Sequence, residues 1–183
     1  MLIVAHGDDV TDLVPTNKRI CLVQLGGDWS LGAKRNFSCE HVWGEIIAHW
    51  DDDDYSAPGR LADQVGRLVD SGRAVTNYRN LRFTDGAKQW RNINWPGGYG
   101  TSLVYCRHWW GWHPFSDVPS EDWEFVAEAM RHGEFIAGEA QDFMLVTIHS
   151  GNTQHAIGAG WIPEVFSMNH TGRLWPQFNS QRR

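Results

Sequence analysis

The sequence predicts an α/β domain, a mostly parallel sheet flanked by helices, and three observations carry that reading. Short branched apolar runs of strand length alternate with helix-like segments over the first half of the chain. Two segments further on have a helical apolar stripe with start and stop signals at their ends. The 183 residues, 42% hydrophobic and 21% charged, suit one minimal globular domain with its own core.

Residues 2–5, LIVA, and 20–25, ICLVQL, are apolar runs rich in branched residues, and the turn chemistry of GDDVTD and VPTNKR between them makes both strands. Ser30 or Gly32 opens a helix through AKRNFSCEHVW that Gly44 ends, and EIIAHW is again a strand, running into Asp51–Asp54. Pro58 suits a first helical turn, Leu61, Val65, Leu68 and Val69 fall on one face, and Gly72 sits where a C-terminal glycine belongs. AVTNY is a strand, LRFTDGAKQWRN a hairpin turning at Asp85-Gly86, and TSLVYCR a further strand. SEDWEFVAEAMRHG is the second clear helix, capped by Ser120, with acids in its first turn, Phe125, Val126, Ala129 and Met130 on one face, and Gly133 at its end. FMLVTIH closes the regular structure. The core is expected over residues 1–155, and residues 156–183, without a sustained period, read as an irregular tail.

A net charge of −6 argues against a protein that lives on nucleic-acid phosphates or anionic lipid through bulk electrostatics. Cys21, Cys39 and Cys106 lack the spacing of a zinc knuckle or a disulfide framework, so free thiols and a cytoplasmic location are expected. No apolar stretch approaches the roughly 18 residues of a membrane span, so no membrane insertion is expected. Large aromatics mostly fill cores. The run containing Trp109, Trp110 and Trp112 cannot all point inward, so at least one of the three is expected to line a cleft or an interface.

Asp51–Asp54 concentrate like charge at the end of a strand and ahead of a helix, where open α/β sheets bind ligands. Repulsion at that spacing calls for a cation, and an all-oxygen set suits Mg²⁺ or Mn²⁺ shared with substrate phosphates. A calcium-binding EF-hand loop fails on spacing, because Ser56 stands where it needs glycine and Ala62 where it needs glutamate. A solvated acidic turn ahead of the helix is the alternative.

GAKRNFSCEHVWGEIIAHWDDDDYSAPGRL resembles the core of the inverting family 2 glycosyltransferases of GT-A fold: a Gly-x-x-Arg-Asn helix, Gly-Glu-x-Ile, a strand ending in Asp-x-Asp-Asp, then Pro and an amphipathic helix. GTSLVYCRHWWGWHPFSDVPSEDWEF is similar to that family's stretch leading to a Glu-Asp motif at a helix start, and TIHSGNT to a following strand ending in His. The likeness spans roughly residues 2–155. It implies that Asp53 binds a divalent cation, Mn²⁺ or Mg²⁺, bridging the diphosphate of a nucleotide-sugar donor. Asp51 and Asp52 would face the nucleotide, Asp51 near its ribose, while Asp54 supports the metal and His149 is a candidate additional ligand. Lys34 and Arg35 would meet the diphosphate from the other side. Asp122 would be the catalytic base toward a hydroxyl acceptor, Glu121 would hold the motif, and Trp109, Trp110 and Trp112 would stack in the acceptor cleft.

Two departures stand out. The family normally carries another strand and helix ahead of the position of Met1, so the strand LIVA, or a second copy of the chain, is expected to complete the sheet. AHGDD puts Ala5 and His6 where acids that contact the nucleobase would be, with Asp8 and Asp9 as partial substitutes. The expected activity is metal-dependent inverting sugar transfer. The alternative is a module of the same fold that binds a nucleotide or glycan without turnover. A nucleotidyltransferase is disfavoured by the lack of a glycine-rich phosphate loop near the N-terminus.

Overall fold

The computed structural model describes residues 1–87, 89–91, 97–140 and 143–149, with the backbone alone at 90 and 91. The Asn92 end of the expected hairpin, the boundary at 155 and the tail over 156–183 lie outside the described residues.

The strands in chain order are β1 (Leu2–His6), β2 (Cys21–Leu25), β3 (Ile46–Ala48), β4 (Tyr55–Ser56), β5 (Val75–Tyr78), β6 (Arg82–Thr84), β7 (Gln89–Arg91), β8 (Val104–Cys106), β9 (Phe135–Gly138) and β10 (Met144–Thr147). The helices are α1 (Leu31–His41), α2 (Arg60–Ser71), α3 (Arg107–Trp112) and α4 (Glu121–Arg131). Among the described residues three sheets form: β1-β2, β3-β8-β5-β9 and β4-β10-β6-β7. The α/β architecture stands, but the expected mostly parallel sheet is instead mixed. β1-β2, β5-β9 and β6-β10 are parallel, whereas β3-β8, β5-β8, β4-β10 and β6-β7 are antiparallel. The strand LIVA pairs with β2 and shares no ladder with β3.

Helix α1 starts at Ser30, whose Oγ accepts from the Ala33 N–H at 3.0 Å, and it stops at His41, before the expected Gly44. Helix α2 ends as its glycine foretells, with Gly72 left-handed at φ 66° and its N–H donating to the Leu68 carbonyl at 2.9 Å. Ser120 occupies the first cap of α4 without a side-chain bond; the Trp123 N–H goes to Asp122 Oδ1 instead, at 2.8 Å.

The main core lies between the β3-β8-β5-β9 sheet and helices α1, α3 and α4, where Val75, Leu103, Tyr105, Phe115, Phe125 and Val126 are buried. A smaller one forms around Tyr78, Leu81, Phe83 and Met144. The three cysteines are unpaired, and Cys39 Sγ lies 3.0 Å from the Tyr105 hydroxyl, with burial pushing its thiol up to about 11. No helix among the described residues is long and apolar enough to cross a membrane.

Candidate functional site

The acidic run begins just past the carboxyl end of β3 and leads into β4. The antiparallel register of β4 with β10 sets Tyr55 opposite Leu145, so the chain leaving β10 runs back alongside Asp53 and Asp54. That register brings His149 Nε2 to 2.8 Å from Asp53 Oδ2, across 96 residues of sequence. Both side chains stay partly open, at 47% and 33% exposure, so the pair faces solvent.

Asp54 is held from two sides. Its Oδ1 accepts the Thr147 N–H at 2.9 Å and its Oδ2 accepts the Thr101 hydroxyl. Burial raises its pKa to about 6, against the lowering effect of those two bonds, and repulsion from Asp51 and Asp53 adds to the rise. Burial likewise lifts Asp51, which the Thr101 hydroxyl and the charges of Arg35 and Arg60 pull back down. Asp52 is exposed.

Thr101 belongs to a tight turn over Gly100–Ser102 that also faces the start of α4. A methyl group at Gly100 would overlap the Asp122 carboxylate, so that carboxylate lies directly on this turn, one residue from the hydroxyl that holds Asp54. Glu121 is 2% exposed and its Oε1 pairs with Arg35 Nη1 at 2.9 Å. Burial raises the Glu121 pKa and Arg35 opposes the rise. The Arg35 guanidinium also lies 5.5 Å from the Phe115 ring centroid. Lys34 is part-buried in the first turns of α1 and forms no ion pair with any described residue.

The structure thus gathers Asp51, Asp53, Asp54, His149, Arg35, Glu121 and Asp122 around one edge of the sheet. The tryptophans do not join them. β8 runs antiparallel to β3, Cys106 opposite Ile46, so helix α3 leaves the sheet at the end remote from the acids. Trp109 is 7% exposed in the main core and stacks on His113 at 4.0 Å, and Trp110 Nε1 donates to Asn36 Oδ1 at 2.9 Å. Trp112, 82% exposed, is the member of the run that points outward. The three rings thus stand apart from the acids: the six-residue run folds as about one and a half helical turns, which places Trp109 in the core, Trp110 against it and Trp112 outward.

At the carboxyl end of β1, His6 Nε2 lies 2.7 Å from the Gly27 carbonyl. Asp9 Oδ1 is taken up by the Thr11 N–H and hydroxyl and by Gln24 Nε2, at 2.9, 2.6 and 3.1 Å. Asp9 thus forms the turn after β1 through its Oδ1.

Sequence reasoning missed Arg60, Thr101 and His49. Arg60, 1% exposed, sits directly behind the acidic run. His49, the last residue before Trp50 and the acids, has its Nε2 3.0 Å from the Tyr105 hydroxyl, and burial, with Arg35 and Arg60 nearby, keeps it well below the ordinary histidine pKa.

Among the described residues no three His, Cys, Asp or Glu side chains converge into a closed cage. The donor set fits Mn²⁺ or Mg²⁺ in another way: a carboxylate and an imidazole lie together on an open edge beside two carboxylates of raised pKa, and such cations complete their shells with substrate phosphate and water.

The profile described as Glycosyl transferase family 2 matches residues 8–124. No curated protein sequence matches. Among solved structures, Staphylococcus aureus TarS 1–349 in complex with UDP-GlcNAc superposes with a TM-score of 0.65 at 15% identity, over 84% of this chain and 51% of that one. A mannosyltransferase of Pyrobaculum calidifontis, PcManGT, in complex with GDP-Man and Mn²⁺ gives 0.57 at 18% identity, over 75% and 42%. Glucosyl-3-phosphoglycerate synthase of Mycobacterium tuberculosis, in complex with Mn²⁺, UDP-Glc and phosphoglyceric acid, gives 0.60 at 13%, over 86% and 63%. The chain therefore spans about half the length of the structures it resembles.

Proposed function

Because the chain belongs to glycosyl transferase family 2, with a GT-A-like fold, we propose that it moves a sugar from a nucleotide-diphosphate donor to a hydroxyl acceptor with inversion, using Mn²⁺ or Mg²⁺. The observation that carries this reading is the meeting of Asp53 with His149, 96 residues apart in sequence, beside Asp54 and the turn against which Asp122 lies.

In this reading Asp53 and His149 would hold the cation, Asp54, fixed by Thr101 and Thr147, would support it from the side, and Asp51 and Asp52 would face the nucleotide. When bound there, a divalent cation would supply neutralisation of the charge that grows on the departing diphosphate. Asp122 removes the proton from the acceptor hydroxyl while that oxygen bonds to the anomeric carbon and the bond from that carbon to the diphosphate oxygen breaks on the opposite face. Attack from the side away from the leaving group is what inverts the centre. Glu121, buried and paired with Arg35, keeps the first turn of α4 in place so that Asp122 points at the turn. Arg35 is committed to that pair, so Lys34 is the cation of α1 left to approach the diphosphate. The donor sugars bound by the structural relatives differ, and the acceptor class is a hydroxyl compound.

Asp122→Asn tests the assignment. It keeps the acceptor for the Trp123 N–H and removes the base. Turnover is expected to fall by about 10³-fold, within the range of general-base contributions, while Mn²⁺-dependent nucleotide binding by calorimetry stays within error. Retained turnover would move the base elsewhere. Nucleotide binding without donor hydrolysis or transfer in the wild type would favour the non-catalytic module.

A further inference from the structure

We infer that Arg60 is a positioning residue for the acidic run, clasping the loop that carries Asp51–Asp54 and tying it to the turn that carries Thr101. The inference rests on the proposed function, since its purpose is to hold the cation site in register with Asp122.

A guanidinium that is 1% exposed ordinarily pairs with a carboxylate, because burying an uncompensated charge is costly. Arg60 instead spends its donors on neutral acceptors. Nε donates to Gln64 Oε1 at 3.0 Å, Nη1 to Ser56 Oγ at 2.9 Å, and Nη2 to the carbonyls of His49 and Thr101 at 2.9 and 3.3 Å. His49 precedes the acids and Ser56 follows them, so the two ends of the guanidinium close the loop between residues 49 and 56 from behind. Thr101 is the residue whose hydroxyl holds Asp54, and it adjoins Gly100, on which Asp122 lies. Gln64, one turn further along α2, is fixed in its turn by donating to the Ser102 carbonyl at 2.6 Å. The Trp50 ring covers the guanidinium at 4.8 Å. Its charge faces Asp51 and Asp54 without an ion pair to either, so it favours their ionised forms from behind the loop.

Lysine cannot reproduce this. Its single ammonium keeps the charge but lacks the planar fork that reaches three directions at once.

The test is Mn²⁺ uptake, followed by electron paramagnetic resonance of the free ion, with UDP and separately with GDP, on folded protein well below its unfolding transition. A residue that served stability alone would lower the unfolding temperature of its variant and leave Mn²⁺ affinity in the folded state unchanged. Arg60→Lys is expected to fold and to bind Mn²⁺ about tenfold more weakly than the wild type. Ser56→Ala, which removes one acceptor, is expected to weaken it about fivefold, the worth of one net hydrogen bond. Folded Arg60→Lys with wild-type Mn²⁺ affinity overturns the inference and leaves the proposed function standing. If Arg60→Lys does not fold, unaltered uptake in Ser56→Ala overturns it instead. A wild-type protein that takes up no Mn²⁺ with either nucleotide overturns both.

Discussion

Three carboxylates of the site end up in different surroundings. Asp54 is consumed by Thr101 and Thr147, Asp53 meets His149 at an open edge, and Asp122 rests on a glycine that leaves it room. Gly100 is the residue on which this depends. Gly100→Ala is expected to displace the Asp122 carboxylate and lower kcat by about 10²-fold, the scale of a misplacement near 1 Å, with Mn²⁺-nucleotide affinity unchanged; a steady-state transfer assay beside calorimetry reads both. The acids themselves were legible because a carboxylate cluster at a strand end and a Glu-Asp pair at a helix start are local patterns. Thr101 was not, since nothing in TSLVYC announces a hydroxyl whose partner lies 47 residues earlier. Arg60 was hidden likewise: in APGRLADQ it looks like one more polar helix residue, and its meaning comes from a carbonyl 41 positions away.

The existence and the end of α2 were read correctly, because Gly72 stops it as expected. Its buried face was not: Arg60, Gln64 and Leu68 turn inward while Leu61 and Val69 of the expected apolar stripe are exposed, and the helix starts after Gly59 rather than at Pro58. The strand β9, four residues immediately after α4, and the six-residue α3 lie below the length at which a period declares itself. Strand direction was misjudged for a different reason. Alternation of strands and helices suggests parallel pairing, but β8 enters beside β3 from the opposite direction, a long-range choice that no local pattern records. Helix α2 also offers a test of its glycines. Gly66, with nothing within 4 Å of an added Cβ, sits inside the helix, so Gly66→Ala should raise stability by about 0.8 kcal/mol. Gly72 is left-handed at φ 66°, so the same change there should cost about 1 kcal/mol. Urea denaturation of the two variants is expected to give shifts of opposite sign.

Over the whole molecule the buried acids set a pH dependence. Asp51 and Asp54 have folded pKa values above the 3.8 of the free side chain, Asp54 at about 6. The folded state therefore holds those protons more tightly than the unfolded chain does. Their contribution is fully present below about pH 4 and is lost as pH rises through about 6. With chelator, the unfolding temperature contributed by these groups should fall between about pH 4 and 7. Asp54→Asn keeps an acceptor for the Thr147 N–H and gains a donor toward Thr101, and should flatten that fall. Mn²⁺ with nucleotide should reverse it at neutral pH, because a ligand bound only by the folded state stabilises it. A wild-type profile that is unchanged by the substitution in the presence of chelator would refute the assignment of Asp54.

The β1-β2 ribbon exchanges no ladder bonds with the sheet beneath the acids. Its amides are therefore expected to exchange on their own energy scale, faster on the flank carrying His6 and Asp9 than at the carboxylate edge, as native-state hydrogen exchange would read. Under the proposed function, opening on the nucleobase flank would then leave the edge that holds Asp53 and Asp54 closed.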